Sequence, residues 1–169
     1  MAFYTVRVTP TTGTNEVVNG EVIIDMAEIQ GAVPIGGGAL LRSITIVDYD
    51  DAGNPLDLYF FQRNTDSSGT ALKMAVDPVA GADNAVIDWT DANMVSAKHL
   101  GHLGGVKTTT GSGVGDFVLH QAGFNADVNV PVMHDKSHND TGSIYFSVVA
   151  TATETKTASS LEFIFGFES

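Results

Sequence analysis

The chain has no cysteine, which removes disulfides, thiolate catalysis and thiolate-bound metals together. Cations are scarce as well: 8 Lys and Arg stand against 20 Asp and Glu, for a formal net charge of −12. Gripping a nucleic-acid backbone takes clustered Lys and Arg, so no nucleic-acid partner is expected. An anionic membrane surface is disfavoured by the same deficit. No apolar run approaches the roughly 20 residues needed to span a bilayer. The start, MAFYTVRVTP, lacks a basic stretch followed by an apolar one. No secretory signal is therefore expected, and the chain is read as beginning at or beside Met1 and folding in a cytoplasm. Tryptophan is nearly absent too, Trp89 being the only one, so there is no Trp-rich platform for sugars.

Catalytic and cofactor motifs are missing in the same way. There is no HExxH and no GxSxG, and TTTGSGVGD (108–116) has no Lys-Ser/Thr after its glycines. A β-run follows that loop, so no helix N-terminus faces an anion there, and a hairpin connection is expected. Asn139-Asp140-Thr141 fits the glycosylation pattern but has no meaning without a secretory signal. Enzyme is the least favoured class, with no catalytic residue and no cofactor expected.

What is present is β-pattern. At 169 residues the chain suits one domain, 1–169, with a real core. Short runs rich in Val, Ile, Thr and aromatics alternate with a period near two. They are FYTVRVT (3–9), EVIID (21–25), RSITIVDY (42–49), LDLYFFQR (56–63), TALKMAV (70–76) and NAVIDW (84–89). VKTTT (106–110), DFVLHQAG (116–123), ADVNVPV (126–132), SIYFSVVATAT (143–153) and SLEFIFGFE (160–168) follow. Loops full of Gly, Asn, Asp and Ser separate them. The pattern predicts an all-β fold, an antiparallel β-sandwich, jelly-roll-like. One short helix is expected near 91–99, capped by the Thr90 hydroxyl and ended by Gly101.

RSITIVDYDDAGNPLDLYFFQR (42–63) reads as a hairpin turning near DDAGNP. In its second strand Leu58 and Phe60 share one face, while Asp57, Tyr59 and Phe61 share the other. The first face suits a core. The second must lie under a crossing segment, such as 31–39, or against another subunit. Cover within the molecule is preferred, because monomers seldom leave large apolar patches open. In the first run, Phe3, Thr5, Arg7 and Thr9 fall on one side and Tyr4, Val6 and Val8 on the other.

Two clusters could hold a metal. Asp48, Asp50 and Asp51 beside Gly53 offer oxygens in a turn. Ala52 and Tyr59, however, stand where an EF-hand needs its fifth and twelfth ligands. An acidic loop whose Asp side chains bond backbone is the expected state. His99, His102, His134 and His138 lack helical spacing on a helix, so solvated loop histidines are expected and no metal.

Three stretches together carry a resemblance. LLRSITIVDYDDAGNPLDLYFF, NAVIDWTDANMVSAKHLGHL and SIYFSVVATATETKTASSLEFIFGFES, in order over roughly 38–169, resemble segments of small tailed-bacteriophage virion structural proteins. In those proteins they form a strand with an Asp-rich turn, a strand with a short helix, and a closing hairpin. The region from GSGVGD to HDKSHNDTG does not match. The resemblance implies a capsid cement or decoration protein on the outer surface of the virion, bridging major capsid protein subunits. It also implies no catalytic residues; separately, a homo-oligomer is expected, with dimers and trimers both open as closed arrangements. Phe3, Tyr4, Val6, Tyr59 and Phe61 are the candidate interface. A neck, tail or fibre adaptor and a carbohydrate- or cell-surface-binding module are the alternatives, β-sandwiches often presenting binding loops.

Overall fold

The computed structural model describes residues 2–50, 54–75, 87, 89–106, 118–123, 130–133, 135, 142–158 and 160–169. Its elements are β1 (Phe3–Val8), β2 (Glu16–Val17), β3 (Val22–Ile29), β4 (Gly38–Asp48) and β5 (Leu56–Phe61). Then come α1 (Asp91–Ala97), β6 (His99–Val106), β7 (Val118–Gly123) and β8 (Val130–Met133). β9 (Ile144–Ala150), β10 (Glu154–Thr155) and β11 (Leu161–Glu168) complete the chain.

Two antiparallel sheets face each other. The first has the order β1-β11-β4-β7, with β8 also on β4, and the second β3-β9-β5-β6. β7 pairs with Ser43–Asp48 and β8 with Gly38–Leu41, so the two lie end to end along one side of β4. A small ribbon, β10 on β2, pairs with neither sheet but adds Val17 to the core between them. The all-β, antiparallel sandwich expected from the period of two is what the chain forms.

The core is where the inward faces meet. Leu41, Ile44, Ile46, Phe163, Phe165 and Phe167 from the first sheet meet Leu56, Leu58, Phe60, Phe146 and Val148 from the second. Ring contacts cross the gap, Phe146 to Phe163 at 4.9 Å and Phe60 to Phe165 at 6.1 Å. Each fully buried Phe or Leu contributes about 1.5–3 kcal/mol relative to exposure, and this layer supplies most of that gain.

Three expectations about connections are corrected. Residues 42–63 are not a hairpin: β4 lies in the first sheet and β5 in the second. The closing stretch crosses too, β9 pairing β3 and β5 while β11 pairs β1 and β4. The reason is shared: each strand buries one apolar face in the same core, and facing sheets satisfy that as well as neighbouring strands do. Third, 70–75 forms no strand beyond isolated bridges, Thr65 to Ala71 and Ala75 to Ile87. Residues 84–86, 88 and 107–110 lie outside the described residues.

Helix α1 starts where expected. The Thr90 hydroxyl accepts from the Asn93 N–H, and the Asn93 side chain in turn accepts from the Thr90 N–H, a reciprocal cap. It ends earlier than expected, at Lys98 in the left-handed conformation (φ 51°). Gly101 belongs to β6, a strand the sequence hid because HLGHLGGV holds three glycines and only one β-branched residue.

Candidate interaction surface

The second sheet's outer face carries Tyr59, Phe61, Tyr145 and Val149, and the segment between β5 and β6 lies over it. Leu72, Met74, Ala97 and Phe61 are buried together there, with Trp89, Met94 and Tyr59 packed at the margin. Phe61 meets the Trp89 ring at 4.7 Å and is fully enclosed. It has no surface to offer a partner, and as an interface candidate it is corrected to core. The cover is this segment and not 31–39. Polar anchors hold it down: Asp25 on β3 accepts from the Met74 N–H at 2.7 Å, and the Gln62 and Arg63 N–H groups donate to the Ala97 carbonyl. The Trp89 indole N–H donates to the Lys73 carbonyl. That tryptophan therefore serves the cover.

Tyr59 is half-buried, stacked on His102 at 4.4 Å. His99 packs against Phe61 at 5.5 Å, and burial followed by the nearness of His102 holds its imidazole below the ordinary value. Asp57 accepts from the Gly105 N–H at 2.6 Å, with His102 Nε2 at 3.9 Å from its other oxygen. His99 and His102 are thus parts of an aromatic margin. His134 and His138, with Asn139, Asp140 and Thr141, lie outside the described residues, as do loop 110–116 and all of 134–142 except Asp135 and Gly142.

The Asp-rich turn binds protein donors. Asp48 is fully buried; Oδ2 accepts from Lys156 Nζ at 2.6 Å and Oδ1 from the Asp50 N–H at 3.0 Å. Glu154 lies 3.2 Å from the same ammonium, so a lysine cation occupies the space between two carboxylates. Asp50 accepts from the Thr157 N–H and hydroxyl, both at 2.7 Å, tying the β4–β5 turn to the β10–β11 turn. Asp51 lies outside the described residues. Sequence reasoning missed this lock because Lys156 in TETKT has the composition of a solvated loop; its charge is buried only because Asp48 and Glu154 meet it. A second ionic clasp was missed for the same reason. Asp135 joins Arg63 at 2.6 Å and Lys98 at 2.9 Å, linking both ends of the covering segment to the chain after β8. Among the described residues no three His, Asp or Glu side chains converge as a metal site, and no helix is long and apolar enough to cross a membrane.

The first sheet's outer face is different. Among the described residues no helix or strand covers it. Phe3, Thr5 and Arg7 point outward from β1, Phe3 being 58% exposed. Ile164 on β11 and Val47 on β4 are half-buried, and Met133 at the end of β8 is 64% exposed. Beside Met133 an open groove of about 620 Å³ runs between Leu40, Pro131 and the Glu168–Ser169 end of the chain. Two ion pairs border the face, Arg7 with Glu162 at 2.6 Å and Arg42 with Glu168 at 2.5 Å. Tyr4 and Val6, the other β1 candidates, turn inward. Tyr4 stacks on Phe167 at 5.7 Å and its hydroxyl donates to the Ala32 carbonyl at 2.8 Å. The β1 alternation is therefore as the sequence predicts, and only its Phe3 side is open.

Neither a protein-family model nor a curated protein matches the chain.

Proposed function

We propose that the chain is a bacteriophage virion structural protein of the head cement or decoration type. It would lie on the outer capsid surface and bridge major capsid protein subunits. The observation that carries this reading is the contrast between the two outer faces: one closed by the chain itself, the other covered by no described helix or strand, with Phe3, Val47, Ile164 and Met133 on it. A partly apolar sheet face bordered by ion pairs is suited to docking on a repeated protein lattice. Many copies each contributing a modest contact would stabilise a shell through multivalent linkage.

The winding of the chain supports a jelly roll within that reading. With β7 and β8 together filling one strand position beside β4, β1-β11-β4-β7 opposite β3-β9-β5-β6 has the chain change sheets at every connection except β5 to β6 and β7 to β8, as a pair of Greek keys folded across each other does. The acidic balance and the absence of cysteine suit a protein present in many copies without affinity for packaged DNA.

The test is copy number and position in purified virions of the phage that encodes the chain. Quantitative mass spectrometry should give a copy number comparable with the major shell protein, and an averaged electron-microscopy map should put density outside the shell. A few copies at one vertex would move the protein to the neck or tail. Absence from particles would sink the reading.

A further inference from the structure

Among the described residues β1 is an edge strand, paired with β11 on one side only. Ala2 and Ser169 exchange two backbone hydrogen bonds, of 2.8 and 3.0 Å. Hydrogen-bonded pairs recur at every second position of an antiparallel ladder, so this pair fixes the phase. Tyr4, Val6 and Val8 turn their N–H and C=O groups toward β11. Phe3, Thr5 and Arg7 turn theirs away from it, and no described residue takes them.

Open edges of this kind are normally blunted by bulges, proline, lysine or cover. The other edges of the sandwich are interrupted. β3 has two register shifts and a positive φ at Met26, β6 has two shifts against β5, and the far side of β4 is divided between β7 and β8. β1 pairs with β11 without any shift.

We propose that β1 pairs antiparallel with β1 of a second copy of this chain, about a two-fold axis at Thr5. Within the strand, one register engages all the outward-facing backbone groups on both copies. It sets Phe3 opposite Arg7, Thr5 opposite Thr5, and Arg7 opposite Phe3, with two backbone bonds for each opposed pair. The same register brings the Arg7 guanidinium beside the partner copy's Phe3 ring on the outer face, a cation–π pairing. On the core side it sets Tyr4 opposite Val6. The charge is favourable as well: in an acidic chain, this strip has its carboxylates matched, Glu162 by Arg7 and Glu168 by Arg42. The contact is self-complementary, so it closes at a dimer and does not propagate into a fibre. Two uncovered sheet faces then join into one continuous surface. The inference stands on the edge geometry and does not require the virion reading.

Sedimentation velocity over a range of concentrations should show a monomer–dimer equilibrium for the full chain. Thr5→Pro removes only an outward N–H, which an edge strand tolerates. It should give a monomer with a Tm within a few degrees of the parent. Thr5→Cys, in a chain with no other cysteine, should link into a covalent dimer on mild oxidation. Its two-fold mate lies at a Cα separation of about 5.5 Å, within disulfide reach. Phe3→Cys should not link, because in this register its own mate lies about 13 Å away along the strand. A parent chain that stays monomeric at every concentration would overturn the proposal. So would a dimer that survives Thr5→Pro, or Phe3→Cys linking as readily as Thr5→Cys.

Discussion

The two sheets present the same kind of inner face and opposite kinds of outer face. In the second sheet every residue of β9 is buried, and β5 buries Phe61 on the side away from the core. In the first, β11 and much of β4 alternate between buried and half-buried residues, with Gly166 the buried exception on the outer side of β11. The difference is written in composition. A strand such as LDLYFF or IYFSVVA puts large apolar groups on both faces, and the chain must then provide a second layer. FYTVRV and LEFIFGFE put Thr5, Arg7, Glu162 and Glu168 on their outer face among Phe3, Ile164 and Gly166, and leave that mixed face to solvent or a partner. Two-sided apolarity locates the covered sheet, while clean alternation locates the one available for contact.

The sharpest way to break that comparison is to truncate one aromatic on each face. Phe61→Ala empties a fully enclosed site between the sheet and its covering segment. It should cost about 3–5 kcal/mol, read as a fall in the denaturation midpoint. Phe3→Ala removes a ring that is 58% exposed and should change stability by no more than about 0.5 kcal/mol. If Phe3→Ala proves as costly as Phe61→Ala, the first sheet is not open. Equal and small effects would mean that the segment between β5 and β6 is not a true second layer.

How much of this was legible in the sequence depends on what each signal measures. Alternation measures which residues share a face, and it placed Leu58 with Phe60, Tyr59 with Phe61, and Tyr4 with Val6 correctly. It does not say which sheet a strand joins, so the stretches around DDAGNP and TETKTASS could be read as hairpin turns although both are crossings between sheets. Propensity found the helix start, because Thr90 and Asn93 make a local cap. It missed the helix end, because Lys98 adopts a left-handed conformation usually given to glycine. β6 was hidden by its glycines, which weaken the strand pattern while the pairing partner β5 supplies the order. Of the candidate surface, Phe3 could be read from the chain. Met133 and the groove beside it could not, because they arise from β8 lying alongside the first residues of β4.

Even the uncovered sheet has one tight point, and it sharpens the comparison. Gly166 lies on the outer side of β11, with Ser43 of β4 beside it and the Phe3 ring above. A Cβ at this position would come 2.2 Å from Ser43 Oγ and 2.9 Å from Phe3 Cζ. Gly166→Ala should therefore cost about 1–3 kcal/mol, the range for overpacking, although no core residue is touched. Ser43→Ala removes the offending oxygen and leaves Cβ at 3.5 Å. Ser43→Ala combined with Gly166→Ala should thus recover much of the loss, a coupling that a double-mutant cycle in chemical denaturation reads directly. Additive losses would place the strain elsewhere.

The smallest expected effect concerns pH and the margin of the covered face. Burial against Phe61, and then the neighbouring His102, hold His99 below the ordinary imidazole value. The folded chain therefore binds a proton less readily there than the unfolded chain does. Its contribution is fully present above the unfolded value, about 6.5. It is lost progressively as the pH falls from there toward the lower folded value. The parent should thus show a small drop in Tm between pH 7.5 and 5.5. His99→Gln should flatten that drop, because it removes the titrating group while keeping a polar side chain of similar reach. His99 is partly open to water, so screening keeps the effect modest. The opposite sign, a chain that gains stability on acidification over this interval, would mean that the ring is not held neutral at the edge of the second layer. The covering segment would then be looser at its β6 end than the packing of Phe61 and Trp89 requires.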